Sequence, residues 1–170
     1  MQRDRQIIVG VMGPGNKATP TDLQNAYELG KLIAQQGWVL LTGGRNVGVM
    51  DAANIGAKAA NGLTIGILPT NDPNTISEAV DIAIITDIGN ARNNINVLSS
   101  NVVIACGIGA GTASEIALAL KSNKKVILLT DDEAGKVFFK KMLPENVYIV
   151  NGVAEAIAAA KDILDNSKIQ

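Results

Sequence analysis

Any chemistry in this chain is done without histidine, because the sequence contains none. That removes Ser-His-Asp catalysis, imidazole metal ligation and the commonest general base. Carboxylates, Arg, Lys, backbone dipoles and the ligand itself remain. Arg92 lies in Asp87-Ile88-Gly89-Asn90-Ala91-Arg92-Asn93-Asn94, near the start of a predicted helix, where the macrodipole disfavours a cation. A bound anion would compensate for it, as would Glu115 across a loop crevice; a solvated surface arginine is the plainer alternative. Glu115 closes Gly107-Ile108-Gly109-Ala110-Gly111-Thr112-Ala113-Ser114-Glu115, a run whose free N–H groups and positive dipole end suit a phosphate. Thr112 and Ser114 add hydroxyls to the backbone of Gly107, Gly109, Ala110 and Gly111. Thr112-x-x-Glu115 is also a capping box, with the Thr112 hydroxyl on the Glu115 amide and the carboxylate reaching back to the Thr112 amide. A cap and an anion site can share one helix start.

Gly13-Pro14-Gly15-Asn16-Lys17-Ala18 has the spacing of a dinucleotide fingerprint with alanine last. A nicotinamide dinucleotide also wants an acidic residue near the end of the second strand; Thr42-Gly43-Gly44 stands there instead, so NAD is not expected. The run is either a ligand loop built from Gly13, Gly15, Asn16 and Lys17 or a tight strand-to-helix turn. Thr42-Gly43-Gly44-Arg45-Asn46-Val47-Gly48-Val49-Met50 puts three glycines within six residues, an entropic burden that favours ligand contact over close backbone packing. Arg45 faces either ligand or solvent. Cys106 is expected to pack rather than ligate, as buried thiols usually do, and no structural metal is expected.

Those runs need elements to hold them. Apolar, β-branched segments at Ile7 to Met12, Trp38 to Leu41, Leu63 to Leu68, Ile82 to Ile85, Val102 to Ala105, Val126 to Leu129 and Val147 to Val150 read as strands. Between the first two, Leu23, Ala26, Tyr27, Gly30 and Ile33 recur at helical spacing, with Thr19 as N-cap, Pro20 at the first helical position and Gly37 as terminator. Further helices are expected over 46–61, 89–99, 112–122, 134–142 and 152–165, the last opened by Asn151, and 69–79 is a long connection with room for one helical turn. The alternation predicts a doubly wound, Rossmann-like α/β fold, with about seven mostly parallel strands and helices on both faces. In such a sheet ligands bind beyond the carboxyl ends of the strands, where the glycine runs fall.

Composition narrows the partners. The 170 residues fit one domain, 1–170, and the 47% hydrophobic content with only 3% aromatic builds the core from Val, Ile, Leu and Ala, as strands buried on both faces require. Lys plus Arg number 15 against 16 Asp plus Glu, so there is no basic field to hold nucleic acid. The apolar runs are too short to cross a bilayer. With one cysteine and no secretory leader pattern, the cytoplasm is the expected location.

Gly43-Gly44-x-x-Gly48-x-Met50, Gly66-Ile67-Leu68-Pro69, Ala91-Arg92-Asn93 and Gly109-x-Gly111-Thr112-x-x-Glu115 together resemble the lonely-guy (LOG) and lysine decarboxylase-like (SLOG) superfamily, over residues 7 to about 130. The short chain and the Arg-Asn variant look most like its molybdenum cofactor carrier proteins. Cytokinin-activating members hydrolyse the N-glycosidic bond of a nucleoside 5′-monophosphate; the resemblance gives Arg92 and Glu115 their catalytic roles and the last glycine-threonine loop the phosphate. The family pattern Pro-Gly-Gly-x-Gly-Thr-x-x-Glu departs here at Gly107 and Ile108, and the Ile108 side chain is expected to crowd the sugar-phosphate position. Carrier members need no catalyst. For them the resemblance implies a phosphorylated pterin bearing a molybdenum oxoanion, held by backbone amides, Lys17, Arg92, Asn93 and the Thr112 and Ser114 hydroxyls. It also implies a homodimer or homotetramer, with the Ile116 to Leu120 helix against a partner or the sheet, and transfer of cargo to molybdoenzymes.

Overall fold

The computed structural model describes residues 5–167. Its strands are β1 (Ile8–Met12), β2 (Val39–Thr42), β3 (Thr64–Leu68), β4 (Ile82–Ile85), β5 (Val102–Cys106), β6 (Val126–Leu129) and β7 (Val147–Val150). The helices between them are α1 (Pro20–Gln35), α2 (Gly48–Ala59), α3 (Arg92–Ser99), α4 (Ala110–Lys121), α5 (Glu133–Met142) and α6 (Val153–Ser167), with 3-10 turns at Pro73–Thr75 and Gly89–Ala91. The seven strands lie in the order β4-β3-β2-β1-β5-β6-β7 and every pairing is parallel. The chain winds outward from β1 to β4, returns to place β5 beside β1, and winds outward the other way. This is the doubly wound α/β fold.

The apolar inner strands are explained by what covers them. Alternate residues of β1 and β5 point to opposite faces: Val9, Val11, Ile104 and Cys106 meet α1, α2 and α6, while Met12, Val103 and Ala105 meet α3, α4 and α5. With both faces dry, no polar alternation is needed. The helix α1 starts as its sequence demands. Thr19 Oγ1 accepts from the Asp22 amide at 3.1 Å, Asp22 Oδ2 accepts from the Thr19 amide at 2.9 Å, Pro20 follows, and Gly37 at φ +73° ends the helix. The two helices after β1 and β2 pack backbone to backbone: a Cβ on Gly30 would stand 1.9 Å from the Ala53 carbonyl oxygen, and one on Gly56 1.9 Å from that of Tyr27.

Boundaries shift where local chemistry overrides periodicity. The segment predicted as one helix over 89–99 divides into the Gly89–Ala91 turn, which opens at Gly89 with φ +58°, and α3. The final helix begins at Val153, and the Asn151 amide donates to Glu155 Oε2 at 2.9 Å. On α4, Ile116, Ala119 and Leu120 are buried in the core beneath the sheet. Exposed apolar side chains lie elsewhere: Ile82, Ile84 and Ile85 on the edge strand β4, Ile95 and Leu98 on α3, and Val137, Phe138 and Met142 on α5. Among the described residues no helix is long and apolar enough to cross a membrane.

Candidate functional site

Where β1 and β5 lie side by side, their following segments leave toward opposite faces of the sheet and open a crevice at the carboxyl ends. A cavity of about 250 Å³ occupies it. Its floor is Val11, Met12 and Gly13; one wall is Pro14, Gly15, Asn16 and Lys17; a second is Gly43, Arg45 and Met50. Asn90, Arg92 and Asn93 form the third wall, and Gly109, Ala110, Gly111, Thr112 and Glu115 bring the start of α4. The N-cap of α4 is Gly109, and no side chain caps the helix. A Cβ on Gly111 would meet nothing within 4 Å, and one on Gly109 only Pro14 at 3.7 Å. Uncapped amides and bare backbone therefore face open space, the arrangement that receives an anion.

Two side chains of the cavity lining, one on α4 and one at the start of α3, have unused hydrogen-bonding capacity. Thr112 Oγ1 and Arg92 Nε are buried without a partner, in residues only 2% and 8% exposed. Leaving such groups dry and unpaired is unfavourable by about 1–3 kcal/mol each, more for a charge. The guanidinium lies over Gly43, whose Cβ would stand 2.2 Å from Arg92 Nη1, so glycine there makes room for the arginine. Burial lowers the Arg92 pKa, the charge of Glu115 raises it and that of Arg45 lowers it further, with a net fall. Glu115, 6% exposed, makes no ion pair within 4.0 Å of Arg92; its Oε1 accepts from Asn96 Nδ2 at 2.9 Å. Burial pushes its carboxyl up to about 7, against the opposing effects of the Asn96 hydrogen bond and the Arg92 charge. Among the described residues no cluster of three or more His, Cys, Asp or Glu side chains is placed to hold a metal ion.

A model of the SLOG cluster4 family matches residues 6–157. The chain belongs to that family. Solved structures similar to this SLOG chain include a molybdenum cofactor binding protein from the phototrophic bacterium Rippkaea orientalis, at 61% identity and a TM-score of 0.94, covering 95% of this chain and 99% of that one. A Moco carrier protein from Chlamydomonas reinhardtii is similar at 54% identity and a TM-score of 0.89, with the same coverage of 95% and 99%. A cytokinin riboside 5′-monophosphate phosphoribohydrolase from Mycobacterium tuberculosis is 34% identical over 104 residues, which are 58% of this SLOG chain and 56% of that enzyme.

Of the residues singled out by sequence, Gly13, Gly15, Asn16, Lys17, Gly43, Arg45, Arg92, Asn93, Gly109, Ala110, Gly111, Thr112 and Glu115 line the cavity of this SLOG chain. Thr42, Gly44, Gly107 and Ser114 do not. Thr42 Oγ1 donates to Asn54 Oδ1 at 3.2 Å and accepts from the Gly44 amide at 3.0 Å. Gly44 takes φ +74° against Gly66, and Gly107 takes φ +75° beside the Asp22 carboxylate. Ser114 Oγ donates to the Gly111 carbonyl at 2.7 Å and accepts from Asn93 Nδ2 at 2.9 Å, so it orients a lining residue.

The Thr112–Glu115 capping box does not form. Gly109, extended at φ −131°, is the N-cap, which puts Thr112 inside the helix and the Glu115 carboxylate against α3. Ile108 does not crowd the cavity either: its Cδ1 would be 2.7 Å from a Cβ on Gly135 of α5, on the far side of the loop. Cys106 Sγ donates to the Asp22 carbonyl at 3.4 Å, and burial with the nearby Asp22 charge pushes the thiol up to about 12, which keeps it protonated. Sequence reasoning missed Val11, Met12, Pro14, Met50 and Asn90 in the lining, and Asn96 behind it. Asn96 was discoverable, since it sits one helical turn after Arg92 and so on the same face.

Proposed function

We propose that this protein binds and carries a molybdenum cofactor, a phosphorylated pterin with an oxoanion-bearing metal, in the cytoplasm and without chemically changing it. The observation that carries the reading is the bare start of α4, with Gly111 opposite empty space and Thr112 Oγ1 and Arg92 Nε buried and unpartnered beside it. Converging amides, a hydroxyl and a guanidinium suit a phosphate or oxoanion, and no thiolate competes at the lining. Lys17 and Arg45 complete a wall rich in donors. Similarity to cofactor-binding proteins at 54% and 61% identity supports the same ligand class. The exposed apolar surface on β4 and α3 supports assembly into a homo-oligomer, from which cargo passes to molybdoenzymes.

A second reading has its own support: Arg92 and Glu115 both line the cavity, and a phosphoribohydrolase is similar over part of the chain. The deciding experiment is paired. Purified protein is loaded with molybdenum cofactor and desalted, and retained molybdenum and pterin are quantified; in parallel, free base released from AMP is measured, each with wild type and Glu115→Ala. Retention in equimolar amounts without base release is expected. Base release abolished by the substitution would instead make the protein a hydrolase.

A further inference from the structure

We infer that Glu115 determines which ligands the cavity accepts by holding a proton in the loaded state and donating it, as a neutral carboxylic acid, to a ligand oxygen. The inference rests on the anion-binding reading of the cavity. Glu115 is the one carboxylate in a lining that otherwise offers Lys17, Arg45 and Arg92 as charged groups. These three line the cavity from the β1–α1 loop, the β2–α2 loop and α3, and of them it is the Arg92 charge that acts on the Glu115 carboxyl, while β5 and β6 beneath α4 bring no charged residue. Its side chain cannot swing away, because it is buried on the second turn of α4 and Oε1 is held by Asn96. Oε2 has no hydrogen-bond or ion-pair partner, although a guanidinium lies in the same cavity.

An anion brought beside a buried, ionised carboxylate is repelled, since two like charges in one low-dielectric site disfavour double ionisation. A proton taken from solvent removes that repulsion and turns Oε2–H into a donor for a short, charge-assisted hydrogen bond. The proton is readily held, because burial already places the carboxyl at about 7 before any anion arrives. Ligands that present an acceptor oxygen opposite Glu115 are thereby selected over those that present a hydrogen-bond donor, which would favour the ionised form.

The test is titration of the full chain with molybdate, whose own charge is constant across neutral pH, by isothermal calorimetry. With a carboxyl at about 7 that must be protonated, wild-type affinity falls about 30-fold between about pH 6 and pH 8.5. Glu115→Gln, which keeps a donor and loses the charge, is expected to bind about 30-fold more tightly than wild type at the higher pH and to converge with it at the lower. Calorimetry of wild type near pH 8 in two buffers of different ionisation enthalpy is expected to report about one proton taken up per molybdate, and needs no variant. Equal wild-type affinity at both pH values, or an unchanged pH dependence in Glu115→Gln, overturns the role of Glu115 and leaves the carrier reading intact. No molybdate binding at any pH overturns the anion cavity, and this inference with it.

Discussion

The loops after β2 and β5 are both rich in glycine, yet their glycines have opposite causes. After β2, Gly44 and Gly48 take positive φ of +74° and +60°, and a Cβ on Gly48 would fall 2.3 Å from the Gly15 carbonyl oxygen. Those glycines are required by the protein's own backbone. After β5, Gly111 lies in regular helix with empty space where its Cβ would be. Nothing in the chain requires glycine there, and glycine inside a helix is about 1 kcal/mol less favourable than alanine. A glycine that the fold leaves free and that borders the cavity says more about that cavity than a glycine held by its own backbone.

Substitutions separate the two cases. Gly48→Ala is expected to have the largest effect, a loss of roughly 3 kcal/mol or more in urea unfolding, from backbone overlap and a strained φ together. A loss under about 1 kcal/mol would break the contrast. Glu115→Gln comes next. Its folded carboxyl titrates at about 7 against 4.5 ordinarily, so the native state holds more protons in between, and stability is full at low pH and lost as pH rises through about 7. The variant is therefore expected to be about 3 kcal/mol more stable than wild type above about pH 8 and equal to it below about pH 4, read from urea curves at the two values. Gly111→Ala is expected to gain roughly 0.5–1 kcal/mol of stability while losing retention of the cofactor, the signature of a position kept for a ligand. Phe138→Ser on α5, at 59% exposure and remote from both loops, is expected to stay within about 0.5 kcal/mol of wild type and to retain cargo unchanged.

The architecture was legible because strands buried on both faces must be written in Val, Ile and Leu, and each helix between them kept a 3.6-residue stripe. The carboxyl ends of the strands, where the glycine runs fall, were legible as the place of a cavity, whereas the strand order that sets β1 beside β5 was not. What was illegible depends on neighbours remote in sequence. Nothing local distinguishes Gly44 from Gly111; Gly66 crowds the first and an open cavity borders the second. The Thr112–Glu115 spacing was a false cap because the extended backbone of Gly109 starts the helix early, and the carboxylate then finds Asn96 on another helix. Ile108, in the loop from β5 to α4, turns toward Gly135 of α5, and sequence alone gives no direction to that side chain.

The glycine-to-backbone contact of α1 with α2 reaches beyond packing. Each helix is the continuation of a loop that walls the cavity: α1 follows Lys17, and α2 follows Gly43 and Arg45. Since Gly30 and Gly56 let each helix's main chain seat against the other, one cannot slide without dragging its neighbour. The two walls thus behave as a single stiff jaw. The third wall begins instead in the short turn Gly89–Ala91, with exposed Asn90 ahead of buried Arg92.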